Sequence, residues 1–268
     1  PCAARCVSVH RQVTPAVEAN NSGQPMVPAI LITRPEPSGT AFADQLRARI
    51  GSEVEIVVSP VMRIAPCGSL PQMAAYKTLI FTSRHGVEAY LDQGGPSTIP
   101  AYAVGQATAT AARQAGMAVT SCDGDAKDLL ARIGSDGPPA PCLHLRGAHV
   151  ASNIAKALTS AGIETDEAVI YRQVEDRLTA QGTTLLQSGR PVIVPLFSPR
   201  SAQLFFRQVN ASGPILVAAI SDNVKSAVPE GRAAVIGTSG KPTADEVLGV
   251  IVTLLDDAKR LEGGNPAK

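Results

Sequence analysis

The residues best suited to chemistry lie together at Ala168-Val169-Ile170-Tyr171-Arg172-Gln173. An apolar strand ends there on a tyrosine beside an arginine, and a charged turn follows through Glu175, Asp176 and Arg177. A phenol can hand over a proton and can also hydrogen-bond an anion. The same pattern fits a strand-end tyrosine that merely keeps its hydroxyl in water. On the first reading the chain here leaves one α/β domain and re-enters another, and Tyr171 faces the cleft between them.

A second feature recurs along the chain. Hydroxyls and backbone N–H groups follow strand ends at Thr33-Arg34-Pro35, Thr82-Ser83, Gly105 to Thr108, Arg146-Gly147, Ser198-Pro199-Arg200 and Ser221. In an open parallel sheet, ligands bind outside the carboxyl ends of the strands. Helix N-termini there offer unpaired N–H groups and partial positive charge, which suit carboxylates. Arg34, Arg146 and Arg200 add full charges with bidentate geometry. Taken singly, Ser83, Ser198 and Ser221 read equally well as helix N-caps.

Other chemistries find no support. GxSxG, HExxH and GxGxxG patterns are missing, and Gly237-Thr238-Ser239-Gly240-Lys241 lacks the spacing and terminal hydroxyl of a phosphate loop. The five cysteines, Cys2, Cys6, Cys67, Cys122 and Cys142, form no CxxC pair, and the four histidines are scattered, so no metal site is expected. A formal net charge of +1 without a polybasic run gives no reason to expect nucleic acid or a membrane surface. Aromatic residues are 3% and tryptophan is absent, which argues against base-stacking platforms. No apolar run reaches membrane-spanning length. Idle thiols and the lack of a signal-like apolar core fit a reducing cytoplasm.

These side chains must be carried by a scaffold. With 44% hydrophobic and 18% charged residues over 268 positions, the chain can bury one large or two medium cores. Residues 1–28, with Met26 just before the first clear strand, read as a leader without a fold of its own, and 262–268 as a frayed tail. Between them, short apolar strands alternate with amphipathic helices. The strands are expected at Ile30–Thr33, Val54–Ser59, Leu79–Thr82, Ala101–Val104, Ala118–Ser121, Cys142–Leu145, Ala168–Tyr171, Pro191–Phe197, Ile215–Ile220 and Ala233–Ile236. This is an α/β pattern of parallel sheets covered on both faces. Phe81-Thr82-Ser83-Arg84 and Phe197-Ser198-Pro199-Arg200 start helices in the same way, and each is followed at similar spacing by another strand-to-helix turn. Two related half-units suggest two related domains.

Several of these stretches carry a resemblance. Ile30-Leu31-Ile32-Thr33-Arg34-Pro35, Phe81-Thr82-Ser83, Ala103-Val104-Gly105-Gln106-Ala107-Thr108-Ala109, Leu145-Arg146-Gly147, Val169-Ile170-Tyr171 and Phe197-Ser198-Pro199 occur in the order seen in uroporphyrinogen-III synthases. Each motif is short, and together they run from about Ala29 to Ala258. The resemblance implies two flavodoxin-like domains, one inserted in the other and joined by a two-stranded hinge. Domain one would be 29–60 plus 174–261 and domain two 61–173. It also implies the reaction: linear hydroxymethylbilane loses water, ring D is inverted and the macrocycle closes to uroporphyrinogen III, with no metal or organic cofactor. Tyr171 occupies the place of the family's favoured proton donor. Arg34, Thr82, Ser83, Gly105, Thr108, Arg146, Gly147, Ser198 and Arg200 would bind the many carboxylates of the substrate. A monomer is implied, with transient contact to the hydroxymethylbilane synthase that supplies the substrate.

The pattern is incomplete. Where many members carry Gly-Pro-x-Thr, this chain has Ser221-Asp222-Asn223-Val224, and Arg84 stands where proline is frequent. The same turns would also serve a non-catalytic two-domain anion-binding or regulatory protein of this fold.

Overall fold

A computed structural model describes residues 9–10, 27–122, 124–149 and 153–263. In chain order the elements are β1 (Val9–His10), β2 (Ala29–Ile32), α1 (Ser38–Ile50), β3 (Ile56–Val58), β4 (Met62–Pro66), β5 (Thr78–Phe81), α2 (Arg84–Asp92), β6 (Ala101–Val104) and α3 (Gln106–Gln114). Then come β7 (Val119–Cys122), α4 (Ala126–Asp136), β8 (Cys142–Gly147), α5 (Ile154–Ser160), β9 (Thr165–Glu175) and α6 (Ala180–Gln187). The chain ends with β10 (Val192–Leu196), α7 (Pro199–Gln208), β11 (Ile215–Ala219), α8 (Asp222–Lys225), β12 (Val235–Thr238) and α9 (Ala244–Gly263).

The chain divides into two compact units, Pro1–Arg63 with Glu175–Lys268, and Ile64–Val174. The first unit holds a sheet in the order β1-β12-β11-β10-β2-β3. Its strands are parallel from β12 to β3, and β1 joins the edge antiparallel. Counted from β2, the parallel strands run second, first, third, fourth, fifth, the flavodoxin order. The reading of 1–28 as a leader without a fold meets this strand at Val9–His10. Apart from these two residues and Val27–Pro28, it lies outside the described residues.

Strand residues in this sheet alternate between two apolar cores. Ala29, Leu31, Val192, Val194, Val217 and Ala219 pack with Leu185, Leu186, Phe205 and Val224 on one face. Ile30, Ile32, Ile193, Leu216 and Ala218 pack with Phe42, Leu46, Val247, Ile251 and Leu254 on the other. Both faces of each strand are covered, which is why the strands read as unbroken apolar runs rather than as alternating patterns. Val224 is 1% exposed in the first of these cores, so the position where the family pattern has threonine is a packing position here.

The second unit holds a sheet in the order β4-β9-β8-β5-β6-β7. The strands β9, β8, β5, β6 and β7 are parallel neighbours. Counted from β5 they run third, second, first, fourth, fifth from the β7 edge, so this sheet is doubly wound with a different strand order from the first. Leu79, Phe81, Leu143 and Leu145 pack with Val87, Tyr90 and Ala112 on one face, and Ile80, Tyr102 and Cys142 with Leu129, Ile133, Ile154 and Leu158 on the other.

Two elements depart from the reading of the sequence. Strand β4 is not visible as an apolar run, and β9 does not end at Tyr171 but continues to Glu175. Glu175, expected in a charged turn, is therefore the last residue of the strand. Edge pairing between β4 and β9 extends the strand past its apolar stretch, since ladder hydrogen bonds do not depend on side-chain polarity.

Candidate functional site

In a doubly wound sheet the crevice for a ligand opens where the strand order reverses. In the second unit that point lies between β5 and β8, because the chain winds outward to β6 and β7 and then returns to the far side. The turns leaving these two strands are Thr82-Ser83 and Arg146-Gly147. In the first unit the reversal lies between β2 and β10, and the turns are Thr33-Arg34-Pro35 and Phe197-Ser198.

Tyr171 is the central group of the second unit's edge. It lies in β9, opposite Gly147, just past a register shift in the ladder. Its side chain is 7% exposed, and its ring is pressed against backbone on two sides. A Cβ at Gly147 would meet ring carbons at 2.7 Å, and one at Gly86 would come within 3.8 Å of the ring. Burial pushes the phenol's pKa up, while contacts to the Ser83 side chain and the Gly147 backbone pull the other way. The net effect is a phenol that keeps its proton at neutral pH and has polar neighbours able to receive charge on its oxygen.

His85 borders the same ring, with centroids 6.2 Å apart and planes at 62°. Its Nδ1 lies 3.0 Å from Glu88 Oε2, and Arg84 donates to Glu88 Oε1 from Nη2 at 2.7 Å and Nε at 3.1 Å. The hydrogen bond from His85 holds the Glu88 carboxyl below its ordinary range against the opposing effect of burial, with Arg84 assisting. Arg84 is thus engaged on its own helix rather than extended into solvent. Sequence reasoning passed over His85 and Glu88, although a histidine two residues after a cap serine with a glutamate at i+3 was a readable signal.

The other expected residues of this unit divide into groups. Ser83 caps α2 by accepting from the His85 N–H at 3.2 Å. Thr82 Oγ1 lies 3.5 Å from Nε2 of His144, which is 1% exposed and whose buried Nδ1 has no hydrogen-bond partner among the described residues. Burial lowers the His144 pKa from 6.5 to about 4. Gly105 starts α3 with φ 73°, a conformation that favours glycine. Thr108 is 5% exposed within α3, so its hydroxyl is a buried group. Arg146 is paired with Glu167, Nη2 to Oε1 at 2.6 Å and Nε to Oε2 at 2.9 Å, and Nη1 donates to the Gly147 carbonyl at 3.0 Å. Each of its three guanidinium nitrogens thus donates one hydrogen bond to a protein acceptor.

In the first unit, Arg34 lays its guanidinium over the Phe197 ring at 4.0 Å and near Phe42 at 5.6 Å. This contact fixes a planar cation at the reversal point. Ser198 caps α7, accepting from the Ser201 N–H at 3.0 Å, with Pro199 at the first helical position. Arg200 is partly buried, and its Nε has no hydrogen-bond partner among the described residues. A buried unpaired donor costs roughly 1–3 kcal/mol unless something accepts from it. No group of three or more His, Cys, Asp or Glu converges as a metal site among the described residues.

Two compact units, each built on a largely parallel sheet with helices, define an α/β protein of two parallel-sheet units. The sequence matches the uroporphyrinogen-III synthase HemD family over residues 41–249, well over half the chain, and the chain belongs to that family. Among solved structures it is similar to uroporphyrinogen-III synthetase from Helicobacter pylori, with 18% identity and a TM-score of 0.60, over 84% of this chain and 99% of that one. A mutant uroporphyrinogen III synthase from the extremely thermophilic bacterium Thermus thermophilus matches at 14% identity and a TM-score of 0.49, over 86% and 99% of the two chains. At such identity the Helicobacter likeness speaks to the fold. No curated protein sequence matches the chain.

Proposed function

We propose that this chain is a working uroporphyrinogen-III synthase, which dehydrates hydroxymethylbilane and closes it with inversion of ring D. The observation that carries this reading is Tyr171, a buried and protonated phenol on β9, in contact with Ser83 and Gly147 in the turns that leave β5 and β8. In the first step the C–O bond of the hydroxymethyl group breaks. Tyr171 gives its proton to the departing oxygen, which leaves as water, and an azafulvenium cation remains. General-acid help of this kind contributes about 10²–10⁴-fold. The phenolate is met by the Ser83 side chain and the Gly147 backbone already in contact with the phenol.

Positioning then decides the product, because the unaided chain closes to the wrong isomer. Ring D must be attacked at its substituted carbon, through a spiro intermediate. Helix starts and arginines at the sheet edges suit the substrate's carboxylates. Arg200 is the clearest acceptor-seeking group among them, since its Nε is buried without a partner among the described residues. Arg146, paired with Glu167 and bonded to the Gly147 carbonyl, acts by shaping the turn that holds Gly147.

The test is direct. Purified protein is supplied with hydroxymethylbilane and the uroporphyrinogen isomers are resolved after oxidation. The type-III isomer, formed faster than the spontaneous type-I product, is expected. Type-I product alone would assign the chain to non-catalytic anion binding instead.

A further inference from the structure

We propose that His85, oriented by Glu88, is a second proton-handling group of this site and accepts the proton released when the macrocycle closes. The inference rests on the synthase reading above and adds a residue and a step to it.

The reaction needs a base as well as an acid. After the final C–C bond forms, the α-carbon of ring D that was unsubstituted in the linear chain still carries its hydrogen. That C–H bond must break, its electron pair restoring the aromatic ring and its proton passing to an acceptor. Tyr171 begins the cycle protonated, as its burial requires, so it is suited to the first transfer. A separate acceptor lets each group start in the right state.

His85 has the geometry for it. The Glu88 carboxyl is held in its ionised form and can only accept, so Nδ1 of His85 carries the hydrogen in that 3.0 Å bond. The lone pair of the neutral ring is therefore on Nε2, which has no hydrogen-bond partner among the described residues. The ring is 16% exposed and stacks edgewise on Tyr171. A carboxylate fixing one imidazole nitrogen and leaving the other toward the reacting site is the usual way a histidine base is aimed. The charged and titratable groups around it are Glu88 and Arg84 on its own helix and Tyr171 on β9. Proton exchange with water then returns His85 and Tyr171 to their starting states, and the overall change is loss of one water.

The experiment uses the full-length chain and hydroxymethylbilane. His85→Gln retains an amide able to bond Glu88 but cannot take a proton. It is expected to unfold at the wild-type urea midpoint and to lose about 10²-fold or more in kcat, with KM little changed. His85→Ala is expected to lose as much and to recover part of its rate on addition of imidazole, with the recovery rising as the imidazole deprotonates. Wild-type turnover in His85→Gln overturns the proposal. So does a His85→Ala defect that His85→Gln repairs and imidazole does not, which marks a packing role. Failure of the synthase reading is a separate result, because the wild-type protein would then yield no type-III isomer at all.

Discussion

Gly147 lies so close under the Tyr171 ring that a Cβ at residue 147 would stand 2.7 Å from Cε2 and Cζ and 3.1 Å from the hydroxyl oxygen. The two residues are partners across the β8–β9 ladder, so neither backbone can retreat without breaking the pairing. Gly147→Ala is therefore expected to destabilise the protein by about 1–3 kcal/mol, the range for overpacking a filled site. Urea unfolding measures this directly. Activity should fall with it, since the ring must tilt to make room. An unchanged midpoint would show that the ring has space the geometry does not reveal.

Removing only the phenolic oxygen separates chemistry from packing. Tyr171→Phe keeps the buried ring and gives up the contacts to Ser83 and the Gly147 backbone, a change on the order of 1 kcal/mol in stability. Turnover with hydroxymethylbilane is expected to drop about 10²-fold or more while KM changes little. Near-normal turnover in a normally folded variant would remove Tyr171 from the acid role.

His144 should make the protein sensitive to mild acid. Its pKa is lowered by burial to about 4, against 6.5 for the exposed ring. Between these values the unfolded chain binds a proton that the folded chain refuses. The stabilisation is therefore present above pH 6.5 and is lost as pH falls toward 4. At about 1.4 kcal/mol per pH unit, this comes to roughly 3 kcal/mol. Carboxylates with lowered pKa values, such as Glu88, also lose stabilisation as pH falls, so a comparison isolates the histidine. The difference in unfolding free energy between wild type and His144→Gln should change by roughly 3 kcal/mol over that interval. A difference that stays constant with pH would rule out the histidine as the cause.

Arg200 offers a contrast between stability and function. Its buried Nε lacks an acceptor among the described residues, a cost of roughly 1–3 kcal/mol that a ligand carboxylate would relieve. Arg200→Met keeps much of the stem and removes the orphan donor. The variant is expected to be as stable as wild type or more so, and to raise KM for hydroxymethylbilane about tenfold or more. Thermal melting and steady-state kinetics check the two halves independently. A destabilised variant with unchanged KM would mean the side chain serves packing alone.

Much of the scaffold was legible in the sequence. Runs such as Ala29-Ile30-Leu31-Ile32 and Ile215-Leu216-Val217-Ala218-Ala219 are apolar throughout because both strand faces are buried, and such runs announce parallel strands without any partner in view. Ser83 and Ser198 were readable as caps for a local reason, as each bonds backbone within its own first turn. Arg146 was not readable in the same way. A strand-end arginine looks identical whether it awaits a ligand or already holds Glu167 on the neighbouring strand, and only the β8–β9 register brings that carboxylate to it. Thr108 gave the pattern of a ligand hydroxyl, yet the packing of α3 buries it.

Tyr171 shows where the division falls. The sequence by itself determined that a tyrosine would stand at the end of an apolar stretch within a strand of an α/β sheet. It could not determine which face the ring would take. Strict alternation places Ile170 and Tyr171 on opposite faces of the sheet. The ladder instead pairs Arg146 with Val169 and Gly147 with Tyr171, passing over Ile170, and both side chains join the same apolar cluster. That irregularity turns the phenol toward Gly147, Ser83 and His85. It depends on contacts between strands far apart in the chain, so only the tertiary structure could decide it.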